Sequence, residues 1–319
     1  MQFFSKILVG VDLSNTDPSK GIEITAADEA ALNCSIVVSR AAHANLKIFS
    51  SLHQYPYLHD ALKTELDQSQ LEKEAKTILG HFQARAVDAG VDACKKVGFG
   101  TPWEEICREV LNEKHDLVIA GTRDLSRAGR FLFGSTGIKL LRNCPCPVWI
   151  TRPGTDWRRP RVLVPDDLSD VSLEALRTAI SLGQIVDAQI HVLHAVHGPG
   201  PPPLWYGREA QELFKEFSDE RLADAKRQLE QQLIRAESGC LPDEVAIHVA
   251  AGRPDEAILR AIEDLRIDLV VMGTSARAGL QALTMGNTTE RLVSQMPCSL
   301  LAVKPRDFEC PIATLKKPA

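Results

Sequence analysis

The sequence predicts an α/β protein made of two tandem three-layer sandwiches, each with a five-stranded, mostly parallel sheet. Three observations carry that expectation. The chain repeats itself in order: Lys6–Ser14 (KILVGVDLS) returns as Arg161–Ser169 (RVLVPDDLS), Asp116–Thr122 (DLVIAGT) as Asp268–Thr274 (DLVVMGT), and Pro145–Pro153 as Pro297–Pro305. Such a repeat is a whole domain duplicated and fused, not a solenoid unit of about 20–50 residues. Short apolar runs alternate with longer helical patterns, which implies parallel strands joined by right-handed crossovers. The length of 319 residues suits two domains, each able to bury a core.

The elements of the second half follow in order. Val162–Val164 is an apolar first strand. Ser172–Val186 is a helix, with Leu173, Leu176, Ile180 and Leu182 at helical spacing. Gln189–Val196 is the second strand. Arg208–Ser238 is a long helix whose stripe of Leu213, Phe217, Leu222, Ala225, Leu229 and Leu233 is read as core. Glu244–Ala250 is the third strand. Pro254 opens the next helix, to Leu265, with Asp255 and Glu256 in its first turn, where the helix dipole favours them. Leu269–Met272 is wholly apolar, as a strand covered on both faces should be. Thr288–Gln295 and Ser299–Val303 complete the half as helix and strand.

The first half gives the same series. Its helices are Asp28–His43, Leu62–Ala89, Trp103–His115 and Gly137–Asn143; its strands are Ile7–Val11, Leu46–Leu52, Ala93–Phe99, Leu117–Ala120 and Val148–Thr151. The linker is Arg152–Arg159, so the domains are expected at residues 1–153 and 154–308. A polar tail, 309–319, is expected to pack loosely or be disordered. The loops Ser14–Ala27 and His197–Pro203 follow carboxyl ends of strands, where open α/β sheets bind ligands.

Composition excludes several classes. A net charge of −5 leaves no basic footprint, so no nucleic-acid partner is expected. The segment Met1–Lys6 runs straight into a strand without the features of a signal peptide. No run of 18 apolar residues spans a membrane. The 8 cysteines are scattered, which fits a reducing, cytoplasmic setting. In the close pair Cys144-Pro145-Cys146, Cys146 is read as a core residue opening a strand, like Cys298; two thiolates fall short of a closed zinc site. His191, His194 and His197 alternate along a strand and do not share a face, so no metal site is expected. No Walker lysine or Ser/His/Asp arrangement is recognisable, and the protein is not expected to be an enzyme; any hydrolysis would be slow or incidental.

One motif carries chemistry. After the fourth strand come Gly121-Thr-Arg-Asp124, nine residues, then Gly134-Ser135-Thr136; the second copy reads Gly273-Thr-Ser-Ala276, nine residues, then Gly286-Asn287-Thr288. A glycine ending a strand permits close backbone approach. A glycine opening a helix leaves free N–H groups that suit a phosphate. Ser135, Thr136 and Thr288 would add hydroxyls. Asp12 and Asp167, ending the first strands, would accept a hydrogen bond from adenosine or a ribose hydroxyl, unless they only cap the following turn.

On these residues the chain resembles the universal stress protein family, whose domains carry an aspartate ending strand one and a Gly-x-x-Gly-(nine residues)-Gly-Ser/Thr pattern after strand four. The tandem layout, the run Gly286-Asn287-Thr288-Thr289-Glu290 and the segment Val303–Phe308 resemble its E branch. The resemblance implies Rossmann-like domains of the adenine-nucleotide alpha-hydrolase type. It also implies a site for ATP or a related adenine nucleotide. Read by themselves, the adjacent acids Asp166 and Asp167 could hold a magnesium through phosphates, although adjacent acids at a strand end are common. The resemblance further implies pairing through the last strand of each half, making the chain an intramolecular pseudo-dimer with room for further dimerisation. The chain departs from the pattern at Asp124, whose charge would repel phosphates, and at Ala276 and Asn287. Pro165-Asp166-Asp167 matches the Pro-x-Asp opening of nucleotide-binding members. The better site is therefore Pro165, Asp167, Gly273, Ala276, Gly286, Asn287 and Thr288; Asp12, Gly121, Gly134, Ser135 and Thr136 form the lesser one. Two alternatives stay open: a ligand-free interaction scaffold, and pockets repurposed for another small or amphiphilic ligand lined by His53–His59 and Pro199–Tyr206.

Overall fold

A computed structural model of the chain describes residues 4–13, 25–52, 65–122, 133–198, 207–236, 245–274 and 287–314. The chain divides into two compact units, Met1–Trp157 with Arg306–Ala319, and Arg158–Leu280 with Met285–Pro305. The first unit runs β1 (Lys6–Gly10), α1 (Ala26–Ala42), β2 (Asn45–Ser51), α2 (Glu65–Asp88), β3 (Ala93–Gly98), α3 (Pro102–Glu113), β4 (Leu117–Gly121), α4 (Ser135–Asn143) and β5 (Val148–Thr151). The second runs β6 (Arg161–Pro165), α5 (Asp170–Val186), β7 (Gln189–Val196), α6 (Gly207–Ala236), β8 (Val245–Ala251), α7 (Pro254–Asp264), β9 (Leu269–Gly273), α8 (Asn287–Val293) and β10 (Ser299–Val303).

Within the first unit the strand order is β3-β2-β1-β4-β5, and within the second β8-β7-β6-β9-β10. These neighbours pair in parallel in both units. The two sheets are thus the same sheet built twice, and the α/β, Rossmann-like expectation holds. The central strands are dry because helices cover both faces: Ile7, Leu8, Val9, Leu117, Val118 and Ile119 are fully buried, as are Val162, Leu163, Val164, Leu269, Val270 and Val271.

Local chemistry sets the helix ends in matched ways. Thr25 caps α1 by accepting the Asp28 N–H, and Ser169 caps α5 by accepting the Ser172 N–H. Pro102 and Pro254 open α3 and α7, each followed by two acids in the first turn. A second matched device fixes strand register. Asp116, just before β4, accepts hydrogen bonds from the Ser5 N–H and hydroxyl, both 2.7 Å, and from the Lys6 N–H, 3.0 Å. Asp268, just before β9, accepts the Arg161 N–H at 2.8 Å. Each aspartate latches the start of its strand to the start of the neighbouring central strand.

Two expectations are corrected. The stripe on α6 is not all core: Ala225 and Leu229 are buried, but Leu213 and Phe217 are 68% and 51% exposed. A helix of 30 residues reaches about 45 Å. The strand β7 beneath it has 8 residues and reaches only ~26 Å, so the amino-terminal half overhangs the sheet. The tail, expected to be loose, instead contributes to the first unit. Its 3₁₀ turn, Pro311–Thr314, packs against α3, and Cys310 and Ile312 are buried.

Replacing Asp116 with Ala should destabilise the protein by about 1–3 kcal/mol, because three backbone and hydroxyl donors lose a charged acceptor. Asp268→Ala removes one such bond and should cost less. Urea unfolding of the two variants checks the order; an equal or reversed loss would contradict the latch.

Candidate functional site

In a sheet ordered 3-2-1-4-5 the connections leave the first and fourth strands in opposite directions, opening a crevice at their carboxyl ends. Pairing sets Gly10 beside Ala120, so Val11-Asp12 and Gly121-Thr122 leave the first sheet side by side. Leu163 lies beside Val270, which brings Pro165-Asp166-Asp167 toward Gly273-Thr274 in the second. The aspartates and strand-end glycines singled out from the sequence are thus brought together in each unit.

The glycines have an architectural task there. A Cβ on Gly121 would lie 2.5 Å from the carbonyl oxygen of Ala27, and one on Gly273 would lie 2.5 Å from Cγ1 of Val171. Ala27 and Val171 occupy the same place in the first turns of α1 and α5, which close over the strand end.

A buried carboxylate sits beside each of these helix starts, but the two copies supply it from different elements. In the second unit it is Asp166, the residue after β6, 4% exposed. Its Oδ1 accepts the Leu168 N–H and the Ser172 hydroxyl, both at 2.7 Å, while its Oδ2 is buried with no partner among the described residues. Burial pushes the Asp166 carboxyl up, against the lowering effect of the Ser172 and Leu168 hydrogen bonds. Leu168, whose N–H meets this carboxylate, has a left-handed φ of 65°, a conformation few leucines adopt. In the first unit the equivalent of Asp166 is Val11, and the carboxylate comes from Asp28, at the position of Ser172 on the helix. Asp28 Oδ1 accepts the Asp12 N–H at 3.0 Å and Oδ2 accepts the Thr25 hydroxyl at 2.6 Å. Burial pushes the Asp28 carboxyl up to about 6, with the Thr25 and Asp12 hydrogen bonds opposing it.

Asp12 and Asp167, by contrast, are exposed. Asp167 Oδ1 accepts the Ser169 N–H at 3.1 Å, a turn-capping bond. Pro165 is half-buried at the end of β6. On the other side of the crevice, Gly134 is the N-cap of α4 and supplies no side-chain cap, leaving first-turn N–H groups without the usual side-chain acceptor. Ser135 is exposed and Thr136 half-buried. In the second unit Asn287 opens α8, and the buried Thr289 hydroxyl reaches the Gly273 carbonyl oxygen at 3.4 Å, tying helix start to strand end. Asp124, Ala276 and Gly286 lie outside the described residues, as do the loops 53–59 and 199–206; the side chains of Asn287 and Thr288 are likewise outside them.

Asp28 and Thr289 were not among the sequence-predicted site residues, and Asp166 was considered only as a magnesium holder beside Asp167. Only Asp166 left a signal, as the first of two adjacent acids. The histidines find partners of their own: His191 Nδ1 lies 3.1 Å from His248 Nε2, and His194 Nδ1 lies 2.6 Å from the Asp166 carbonyl oxygen. Among the described residues, no three His, Cys, Asp or Glu side chains converge to hold a metal ion.

A family model described as the universal stress protein family matches residues 3–152 and again 159–304. Universal stress protein E of Escherichia coli (strain K12) is 29% identical over 297 residues, spanning 89% of this chain and 92% of that protein. Universal stress protein E of Photorhabdus laumondii is 26% identical over 308 residues, spanning 91% and 95%. The crystal structure of a universal stress protein from Archaeoglobus fulgidus DSM 4304 superposes with a TM-score of 0.64 at 20% identity, covering 94% of this chain and 98% of that one.

Two outcomes are expected. Gly121→Ala should destabilise by about 1–3 kcal/mol and resist rescue, because its clash includes the Ala27 backbone; Gly273→Ala should be relieved by adding Val171→Ala. Chemical unfolding of the single and double variants decides this. Separately, Asp28 has its folded pKa raised from an ordinary 3.8 to about 6. Its contribution is therefore fully present below pH 3.8 and is lost as pH rises through about 6, on the order of 3 kcal/mol in all. Asp28→Asn, which stays neutral, should gain on the parent protein in thermal unfolding between about pH 4 and pH 7; a constant difference would refute the burial argument.

Proposed function

The chain belongs to the universal stress protein family, with two of its domains in tandem, and from that premise we propose that it binds an adenine nucleotide at the switch point of its second unit. It would act through partner proteins that read the occupied state, in the cytosol and without catalysing a reaction on the nucleotide. The observation that supports this most is the doubled arrangement at the crevice. In both copies a carboxylate follows the first strand and a glycine ends the fourth beside it, at the carboxyl edge of the sheet, and in the second copy Asp166 keeps a buried oxygen with no partner among the described residues. An exposed Asp167 carboxylate suits a ribose or adenosine donor, and a helix start suits phosphate. The second unit is favoured because Ala276 adds only a methyl group where Asp124 would set a negative charge against the phosphates.

A second reading, an interaction scaffold without ligand, is favoured by one observation. Leu213 and Phe217, one helical turn apart, are exposed on the overhanging half of α6.

The test is to denature the purified protein and analyse what is released by mass spectrometry, followed by titration with ATP and magnesium. Adenine nucleotide near one equivalent is expected. Gly286→Val should abolish binding by blocking backbone approach, and Gly134→Val should matter less, with circular dichroism confirming that both variants fold. Equal loss from either change, or none from both, overturns the ranking of the units. Absence of nucleotide and of ATP binding overturns the proposal in favour of the scaffold.

A further inference from the structure

The first unit carries a groove apart from its crevice, between α2 and the outer strand β3. Along α2 the residues Ser69, Glu72, Lys73, Lys76 and Thr77 recur at helical spacing and share one face. On β3, Lys96 turns to Glu109 of α3 at 2.5 Å. Its neighbour Lys95 therefore leaves the strand on the opposite side, toward α2. These five helix residues and Lys95 line an open groove of about 450 Å³.

The charges in the groove do not cancel. Three ammonium groups line it with one carboxylate, a residual of two positive charges in a chain whose net charge is −5. Glu72 is held by Lys76 at 2.5 Å. Lys73 and Lys95 make no ion pair among the described residues, whereas Lys47 and Lys96, on the other face of the same strands, both close on Glu109.

Gly80 gives Lys95 its place. A Cβ there would lie 2.9 Å from Lys95 Nζ. Glycine is unfavourable inside a helix, and at this position it lets the ammonium rest against α2, one helical turn beyond Lys76 and Thr77. The second copy lacks the arrangement: strand pairing sets Ile247 at the place of Lys95.

We propose that this groove binds a compact phosphorylated polyanion, at a site separate from the crevice and present in the first unit alone. Lysine ammonium groups bind phosphate oxygens as point charges, and Ser69 adds a hydroxyl donor. The Thr77 hydroxyl is turned to the Lys73 carbonyl oxygen at 2.9 Å. The lining holds no aromatic or large apolar side chain to receive a base or an acyl chain, so recognition rests on the phosphate charge. The ligand class is that of pyrophosphate rather than of a nucleoside.

The test treats the full-length protein with a limiting dose of an amine-acylating reagent, with inorganic pyrophosphate or with sodium chloride of the same ionic strength, followed by digestion and mass spectrometry. Pyrophosphate should slow acylation of Lys73, Lys76 and Lys95 several-fold and leave the exposed Lys215 and Lys226 of α6 unchanged. In calorimetric titration Lys95→Glu should abolish pyrophosphate binding at this site. Gly80→Ala should weaken it about tenfold, the loss of one hydrogen bond to a charged group, because the added methyl displaces only the mobile end of Lys95 and the helix itself is favoured. Gly286→Val, aimed at the crevice of the second unit, should leave the protection of Lys73 and Lys95 intact, so that this site and the nucleotide site are read separately. The proposal is overturned if pyrophosphate protects all lysines alike, if it protects none of the three, or if binding is unchanged by both Lys95→Glu and Gly80→Ala. Because the parent protein gives the footprint, a variant that fails to fold does not remove the test.

Discussion

The close seating of one helix start on one strand end governs the rest of each unit. The first turns of α1 and α5 lie so near the ends of β4 and β9 that no Cβ fits at Gly121 or Gly273. That approach fixes where each helix enters, and the capping residues Thr25 and Ser169 complete the entry by holding the third residue of the helix. A strand-end glycine in this fold therefore answers first to its own helix, and only then to anything that binds above it.

The same seating explains the relocated carboxylate. Only a small volume beside the helix start is buried and ringed by donors, and the first copy fills it from the helix with Asp28, the second from the strand with Asp166. In each case backbone N–H and hydroxyl donors offset part of the desolvation that raises the carboxyl. From sequence, the repeated Asp12 and Asp167 attract attention because they align. The burial that matters falls on residues that do not align, Val11 facing Asp166 and Asp28 facing Ser172. A register comparison finds repeated letters; it does not find a charge that has changed its element while keeping its place.

Much of the fold was legible because its determinants are local or periodic. The apolar runs of β4 and β9, the prolines opening α3 and α7, and the acids after them each specify an element within a few residues. The aspartates Asp116 and Asp268 were visible as part of the repeat, but not as register latches, since their partners Ser5, Lys6 and Arg161 lie more than one hundred residues away. The α6 stripe misled because periodicity reports a face and not the length of sheet available to cover it. The tail misled because its polarity outweighed two buried side chains, Cys310 and Ile312. At the candidate site, sequence found the strand ends and the motif; the crevice contacts made by Asp28, Asp166 and Thr289 required the fold.

Duplication adds a control that a single domain lacks. The positions that hold the frame are matched between copies: the aspartate latches, the strand-end glycines, the hydroxyl caps and the helix-opening prolines. Among the positions that differ in polar character are those of the crevice, and those on the outer strands where the first copy pairs Glu109 with Lys47 and Lys96 and the second sets His191 against His248. Val11 against Asp166, Asp28 against Ser172 and Asp124 against Ala276 belong to the crevice motif. A buried ionisable or reactive group costs free energy unless its neighbours satisfy it. Such groups are retained in one copy where that copy supplies the partners, as Thr25 and Asp12 do for Asp28 and Lys47 and Lys96 do for Glu109. The frame can therefore be common to both units while the chemistry set into it is not.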